Sequence, residues 1–488
     1  MKQIASWVLD ACDLRDIEYA DVRVVDDRHR SLATKDGKIG TASEFDSLGA
    51  GIRVLANGAW GFAATEDLGR EGVQTAARRA IEIARASGRV KQKDVRLVPE
   101  KAHVTSWASP CEINPFSISI EQNLDLLLKI DAELRAVQGV TLAEANLSFR
   151  RYEQWFYSSE GSDIHQVRTV SGAGFAAHAF SGNEIMKRSY PNSFGGQFQN
   201  RGYELVNELK LVENARRIGE EAVALLKADQ CPEGKRTVVL DSSQLGLQIH
   251  ESIGHPIELD RVLGMEANFA GMSFLTLDKL RNLRYGSHLV NVVADATEHH
   301  GPGLGTFAYD DEGVPAQSIP IIQHGEFTGY LTSRETAAMV GLDRSGGCNR
   351  AESWNRIPII RMTNISIRPG EKPLTFEQLI GDTDDGIYMQ TNRSWSIDDK
   401  RYNFQFGTEI GWEIKGGKLG RMLKNPSYSG ITTEFWNSLD AICSADEWTL
   451  WGTPNCGKGQ PQQVMGTGHG AAPARFRNVN VGSAYRGT

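Results

Sequence analysis

Residues 236–256 read RTVVLDSSQLGLQIHESIGHP, and this stretch decides how the second half of the chain is organised. Its first six residues, Arg236–Asp241, are mostly apolar and are typical of a short strand. The following Asp241-Ser-Ser243 offers side chains that can cap a helix N-terminus. Leu245–His255 continues as a predicted helix, and Pro256 favours its end. The stretch therefore predicts a strand that leads directly into a helix.

His250, Glu251 and His255 form an HExxxH pattern within this predicted helix. Two imidazoles and a carboxylate are what a hydrolytic zinc site draws from a helix. The histidines would bind the metal, and Glu251 would take a proton from the attacking water as general base. The alternative interpretation is an amphipathic helix with two histidines on its polar face and an exposed glutamate. We favour the metal site.

The spacing of the two histidines is one residue longer than in the usual HExxH pattern. Five residues correspond to about 500° of rotation, which separates two side chains by roughly 140° on a straight helix. Both can reach one ion only if the helix bends, bulges or ends between them. Gly254 relaxes the backbone, and Pro256 disfavours helical geometry at His255. We therefore expect a helix that unwinds at Gly254 and turns His255 back toward His250.

A catalytic zinc site usually takes three protein ligands, so a third ligand must come from elsewhere in the chain. Cys456 lies in GTPNCGKGQP (452–461), which predicts a loop without apolar packing of its own, and Lys458 would favour its thiolate. We prefer Cys456 to Cys348, which lies in the Gly-rich segment SGGCN. His469 is conceivable, but we expect it to be a solvated loop residue. Less suited candidates are Cys12, Cys111, Cys231, Cys443, His299 and His300.

Composition narrows the class of protein. The chain has 488 residues, which suggests two to four domains at about 150 residues each. Its 53 basic and 61 acidic residues give a net charge of −8, which argues against a nucleic-acid partner. No window approaches the roughly 18 apolar residues that a membrane span needs. The six cysteines are scattered without a CxxC pair, which favours a reduced, cytoplasmic protein.

The two halves of the chain differ in their patterns. Up to residue 230, strand and helix signals alternate, with a half-buried strand at Tyr19–Val25, a hairpin at Asn57-Gly58 and helices at Ser119–Val137 and Tyr203–Ala228. The segment CPEG (231–234) is a Pro/Gly break, and strands dominate after it. We expect an α+β fold with an N-terminal α/β domain, residues 1–230. A β-rich C-terminal domain, residues 231–488, would follow and carry the HExxxH helix.

Several longer segments are similar to a known family. They are GAGIRVLANGAWGFAA (49–64), HESIGHPIELDR (250–261), YDDEGVP (309–315), RMTNI (361–365) and the loop that begins CGK at 456. In this order, they resemble the TldD/PmbA family, first called modulator of DNA gyrase and regarded as metallopeptidases. The intact HExxxH resembles the TldD type, since the PmbA (TldE) type lacks it.

The resemblance implies roles for particular residues. His250 and His255 match the metal-binding histidines, Glu251 the catalytic glutamate and Cys456 the third ligand. It also implies hydrolysis of unfolded or flexible peptides. One thiolate and two imidazoles suit Zn²⁺, and iron or another divalent metal is compatible with the same ligands. The chain would act as a homodimer or as a heterodimer with a PmbA/TldE-like paralogue, without nucleic acid or membrane. The alternative function is a non-enzymatic regulatory protein with a structural metal.

Two segments qualify the resemblance. Gly386-Ile-Tyr388 is followed by MQTNRSWSID (389–398), where family members often have a Gly-rich stretch, and this departure bears on substrate preference and partner. Asp310-Asp311-Glu312-Gly313 matches the family, and we expect it to be a turn between strands rather than a catalytic element.

Overall fold

The computed structural model describes residues 1–269 and 271–483. The N-terminal part contains eight strands that form one sheet: β1 (Ile17–Lys35), β2 (Lys38–Ala56), β3 (Ala59–Thr65), β4 (Val104–Ala108), β5 (Val140–Ser158), β6 (Asp163–Ser181), β7 (Glu184–Tyr190) and β8 (Gln197–Gln199). Its helices are α1 (Lys2–Cys12), α2 (Arg70–Gly88), α3 (Ile120–Arg135), α4 (Glu204–Glu208) and α5 (Leu211–Leu225). The strand order is β3-β2-β1-β5-β6-β4, and β7 and β8 also pair with β6.

The two faces of this sheet meet different neighbours because side chains alternate along a strand. On β1, Ala20, Val22 and Val24 belong to the apolar core under α1 and α2, while α3 and α5 cover the other end of the same sheet. The intervening residues Asp21 and Arg23 are buried on the opposite face. The prediction of a half-buried strand at Tyr19–Val25 was therefore wrong about its polar face, because the C-terminal part covers that face.

Three local predictions in this part can be compared with the structure. The helix after Ser119 begins with a capping box between Ser119 and Gln122, which confirms its predicted start. Asn57 and Gly58 both have positive φ, 52° and 66°, and join β2 to β3 as a tight hairpin. The single helix predicted at Tyr203–Ala228 is two helices, because Lys210 takes a left-handed conformation between α4 and α5.

The C-terminal part is built mainly from strands. They are β9 (Asp229–Gln230), β10 (Gly234–Leu240), β11 (Val292–Asp295), β12 (Ser318–Gln323), β13 (Glu326–Phe327), β14 (Asn349–Arg350), β15 (Ile359–Ile360), β16 (Asn364–Ile367), β17 (Asp385–Ile397), β18 (Asn403–Lys415), β19 (Lys418–Lys424), β20 (Pro426–Ile431), β21 (Leu439–Ile442), β22 (Thr449–Lys458), β23 (Gln463–Ala471) and β24 (Ala474–Ser483). The helices are α6 (Ser242–Ile249), α7 (Leu259–Val262), α8 (Arg334–Met339), α9 (Phe376–Gly381) and α10 (Thr432–Asn437).

Two sheets enclose helix α6 in this part. One follows the order β17-β10-β24-β20-β18-β19-β9, and the other follows β13-β12-β11-β16-β23-β22. Helix α6 contacts β17 of the first sheet and β16, β22 and β23 of the second. Its residues from Ser243 to Ile249 are all buried, and the Gln244 Nε2 donates to the Tyr428 hydroxyl at 2.9 Å. The helix is thus a central element of the C-terminal core.

The fold class was predicted correctly in outline, since the molecule is α+β with a β-rich C-terminal region. The domain boundary at residues 230 and 231 stays a prediction. All six cysteines lie in the described residues, and each is a free thiol. Within those residues, the structure has no helix that is both long and apolar enough to cross a bilayer.

The acidic run Asp310–Glu312 joins the two parts of the chain. It forms the predicted turn, since Tyr309 and Pro315 make an antiparallel bridge. Asp311 is buried and accepts hydrogen bonds from the Ala351 amide at 2.6 Å, from Gln154 Nε2 at 2.8 Å and from Arg23 Nη1 at 3.4 Å. The last two donors belong to the N-terminal sheet, so this carboxylate connects that sheet to the C-terminal part.

We expect Asp311→Ala to lower the free energy of unfolding by about 3–5 kcal/mol, because it leaves a buried guanidinium and two buried N–H donors without their acceptor. Denaturant unfolding of the wild type and the variant measures this. Asp384→Ala, at an exposed position, is the matched control and should change stability by less than about 0.5 kcal/mol. Equal effects of the two substitutions would show that Asp311 does not connect the two parts.

Candidate metal centre

Helix α6 changes its winding where the HExxxH pattern begins. Asp241 caps the helix by accepting from the Ser243 and Gln244 amides at 3.1 and 3.0 Å. His250–Gly254 then form a π turn, and the His255 amide donates to the His250 carbonyl at 3.1 Å. Because this hydrogen bond spans five residues, it matches the five-residue spacing of the histidines.

The predicted unwinding at Gly254 was therefore wrong, and the helix instead widens. His255 keeps helical dihedral angles, φ −66° and ψ −42°, although Pro256 follows it. The preference of a residue before proline for extended backbone is thus overridden by the π turn. Gly254 is needed for another reason: a Cβ atom at this position would overlap the sulfur of Met362.

The π turn brings both histidines to Cys456. One ligand atom from each of His250, His255 and Cys456 lies within 4.8 Å of the other two, and all three residues are buried. The Cys456 Sγ is 3.8 Å from His255 Nε2. Tetrahedral zinc, with bonds of about 2.0–2.3 Å, separates its ligand atoms by about 3–4 Å. The size and chemistry of this donor group therefore fit a single divalent ion.

A chain of hydrogen bonds orients His250. Its Nδ1 is 2.7 Å from His469 Nε2, and His469 Nδ1 is 3.2 Å from the Ile365 carbonyl. A carbonyl only accepts, so His469 carries its proton on Nδ1 and accepts at Nε2 from the His250 Nδ1–H. This assignment leaves the lone pair of His250 on Nε2. Burial lowers the pKa of His250, which favours the neutral ring that binds metals.

His255 is oriented by a buried carboxylate. Its Nδ1 is 3.0 Å from Glu258 Oε2, so Nε2 is the nitrogen that faces Cys456. Burial alone would raise the pKa of Glu258, but Lys458 and His255 hold it well below its usual value. Lys458 Nζ in turn donates to Asp260 at 2.7 Å and lies 3.4 Å from Glu258 Oε1. A carboxylate behind a metal-binding histidine fixes the ring orientation and increases its basicity.

Cys456 lies on a strand rather than in the predicted loop. It is in β22, opposite Met465 of β23, and it is 5 % exposed. The loop prediction was wrong because the pairing that forms this strand is not visible in the local sequence. Burial alone would raise the pKa of the Cys456 thiol, yet the Arg361 guanidinium and His255 lower it below its ordinary value. Lys458 is not the partner of the thiol, since it binds Asp260.

Glu251 lies beside the two histidines on the π turn and is 6 % exposed. Its Oε2 accepts a hydrogen bond from Arg401 Nη1 at 2.8 Å. A carboxylate held next to a metal-binding group can exchange protons with a reacting water. The fold thus brings His250, His255 and Cys456 together, and Glu251 is the buried neighbour of His250 on the π turn.

The other candidates for the third ligand are not part of this group: Cys348, His299 and His300 make other contacts, and His469 lies behind His250, at its Nδ1. The Cys348 thiol points to the Gly346 carbonyl, 3.5 Å away, and burial raises its pKa to about 12. His299 and His300 belong to a short 3₁₀ helix, and His300 Nε2 is 2.7 Å from the Ser366 hydroxyl. His469 is 1 % exposed on β23, so the prediction of a solvated loop residue was wrong.

Sequence reasoning missed the residues that support the ligands. Glu258 could have been noticed, since it follows His255 by three residues and this spacing suits a contact within one turn. Lys458 and Asp260 could not be paired from the sequence, because 198 positions separate them. Arg401 carries no local signal that links it to Glu251, 150 positions away.

Family models match nearly the whole chain. Residues 20–84 match PmbA/TldA metallopeptidase domain 1, residues 113–228 match the central domain and residues 233–483 match the C-terminal domain. The C-terminal model alone covers more than half of the chain.

Curated relatives and solved structures are also similar over most of their lengths. A metalloprotease of Methanocaldococcus jannaschii is 31% identical across 93% of this chain and 95% of its own. A zinc metalloprotease TldD homolog of Saccharolobus solfataricus is 24% identical across 81% of this chain and 82% of its own.

Among solved structures, a candidate modulator of a DNA gyrase from Thermotoga maritima has a TM-score of 0.78 at 16% identity, covering 98% of this chain and 99% of its own. TldE from Thermococcus kodakarensis has a TM-score of 0.72 at 16% identity, and 99% of each chain is covered. The structural likeness establishes a shared fold, while the family models and the relative with 31% identity establish ancestry. The chain therefore belongs to the PmbA/TldD family of metallopeptidases.

Proposed function

We propose that this chain is a metal-dependent peptidase that hydrolyses unfolded or flexible peptides. The observation that carries the proposal is the group of His250, His255 and Cys456, whose ligand atoms lie within 4.8 Å of one another, with the buried Glu251 following His250 on the π turn. The proposal also agrees with the curated relatives, which are named metalloproteases.

We propose zinc as the metal. One thiolate and two imidazoles form a ligand set that suits zinc, and iron or another divalent ion is compatible with the same ligands. One relative is named a zinc metalloprotease, which supports the same choice. Three protein ligands leave a fourth position for water or substrate, as in catalytic zinc sites.

Different residues of the site have different roles in the proposed hydrolysis. A divalent ion at this site would supply Lewis-acid activation of water and of the scissile carbonyl. Glu251 takes a proton from the attacking water and passes it to the leaving amine. His469 and Glu258 keep the ligating nitrogens of His250 and His255 unprotonated by accepting at the opposite ring nitrogen.

The burial of the site supports the substrate class. His250, Glu251, His255 and Cys456 are each between 4 % and 6 % exposed, so the surface of a folded protein cannot contact them, and the substrate that we propose is a flexible peptide. The partner we propose is a second copy or a TldE-like paralogue, since a TldE structure shares this fold. A cytoplasmic location and the division at residues 230 and 231 stay predictions from the sequence.

The alternative, a regulatory protein with a structural metal, is less well supported. A structural zinc site normally has four protein ligands. Among the described residues, the group around His250 contains three, and Glu251 beside it is paired with Arg401.

We expect Glu251→Gln to keep its metal and to lose hydrolysis of an unfolded peptide by at least about 100-fold, because only the proton acceptor is removed. Cys456→Ala should lose most of its metal, because it removes one of three ligands. Metal content by plasma mass spectrometry and cleavage of a flexible fluorogenic peptide measure the two effects. Cys111→Ala, at an exposed thiol, is the control and should match the wild type.

Two results would contradict the proposal. Full metal content in Cys456→Ala would exclude the thiolate as a ligand. Unchanged hydrolysis in Glu251→Gln would exclude this carboxylate as the general base.

We expect Glu258→Gln to weaken metal binding by about 10- to 100-fold, because the neutral amide no longer increases the basicity of the His255 ring. Competition with a chelator of known affinity measures the change. Glu434→Gln, on the exposed side of α10, should bind metal as tightly as the wild type. Equal metal affinity in Glu258→Gln and the wild type would mean that the buried carboxylate does not support the ligand.

A further inference from the structure

The hairpin between β17 and β18 carries a charged side chain into the metal centre. Its turn is stabilised by Asp398, whose carboxylate accepts from the Tyr402 and Asn403 amides at 2.8 and 3.1 Å. Arg401 follows in the left-handed region, with φ 65°.

The same turn is attached to two other segments of the C-terminal part. The Met272 and Phe274 amides donate to the carbonyls of Asp399 and Lys400, each at 2.9 Å. The Thr432 hydroxyl donates to the Arg401 carbonyl at 3.0 Å. These hydrogen bonds hold the backbone on both sides of Arg401 in place, so the arginine side chain extends from a fixed backbone.

The side chain of Arg401 contacts Glu251. Its Nη1 is 2.8 Å from Glu251 Oε2, and the two side chains are only 17% and 8% exposed. A charge-assisted hydrogen bond in a site with little water is short and strongly oriented. The free Glu251 side chain would have three rotatable bonds, and this contact restricts them.

We propose that Arg401 is a positioning residue that acts through Glu251. It holds the carboxylate by Oε2, so that Oε1 is the oxygen presented to the attacking water. This inference rests on the proposed peptidase function and adds to it the residue that fixes the geometry of the general base. A displacement of about 1 Å at such a group can cost about 100-fold in rate.

Arg401 lies just after residues 389–398, the segment that departs from the family pattern. Residues 389–398 replace the expected Gly-rich stretch, and they form the greater part of β17 and the start of the turn. A strand of this length and pairing with β18 provides the support from which Arg401 extends.

The test is a double-mutant cycle with Arg401→Met and Glu251→Gln. We expect Arg401→Met to lower kcat by about 10- to 100-fold on the flexible peptide, with KM within about twofold and metal content unchanged. Arg401→Lys, which keeps the charge, should recover part of kcat. In the Glu251→Gln background, Arg401→Met should cause no further loss, because its effect passes through the carboxylate.

Arg393→Met is the matched control, since Arg393 lies on β17 of the same hairpin, is exposed and contacts Asn425 rather than the metal centre. It should leave kcat and KM unchanged. An unchanged kcat in Arg401→Met would overturn the inference. A further loss of the same size in the Glu251→Gln background would also overturn it, because Arg401 would then act on the substrate directly.

A second readout does not depend on activity. The melting temperatures of the wild type, both single variants and the double variant should be non-additive, with Arg401→Met shifting the melting temperature less when Glu251 is already replaced. Additive shifts would contradict the pairing. Absence of peptide hydrolysis in the metal-loaded wild type would count against the proposed function, and the melting cycle would still decide whether Arg401 holds Glu251.

Discussion

One backbone hydrogen bond, from the His255 amide to the His250 carbonyl, closes the π turn that places both histidines beside Cys456. A regular helix would turn the two histidines about 140° apart. The π turn removes this separation by spanning five residues, and Gly254 allows it to pack against Met362. Because α6 lies between two sheets, its surroundings stabilise a winding that is rare in isolated helices. The strand that contributes Cys456 belongs to one of these sheets.

The charged side chains behind the metal ligands are paired with one another because the site is buried. Lys458 and Glu258 are completely buried, and burying single charges there would be very unfavourable. They are arranged instead as a connected set, Asp260–Lys458–Glu258–His255, in which each group has a partner of suitable charge. The same set fixes the ring of His255. The stability of the fold and the geometry of the metal ligands therefore depend on the same residues, so a substitution among these residues changes both properties.

The sequence was sufficient to select His250, His255 and Cys456, which the fold brings together, but not the residues that support them. HExxxH and the preference for Cys456 followed from residue types and spacing, because metal ligands must be histidine, cysteine or carboxylate. The strand around Cys456, the burial of His469 and the pairing of Arg401 with Glu251 depend on contacts between distant segments, which no local pattern encodes. The polar face of β1 was misjudged for the same reason, since only the folded chain places Asp311 against Arg23.

The central claim is that His250, His255 and Cys456 hold one metal ion and leave one position open. X-ray absorption at the zinc edge of the purified, zinc-loaded protein tests this most directly. The account predicts one sulfur at about 2.3 Å, two imidazole nitrogens at about 2.0–2.1 Å and one light ligand from solvent. A spectrum without sulfur, or one that requires four ligands from the protein, would contradict it.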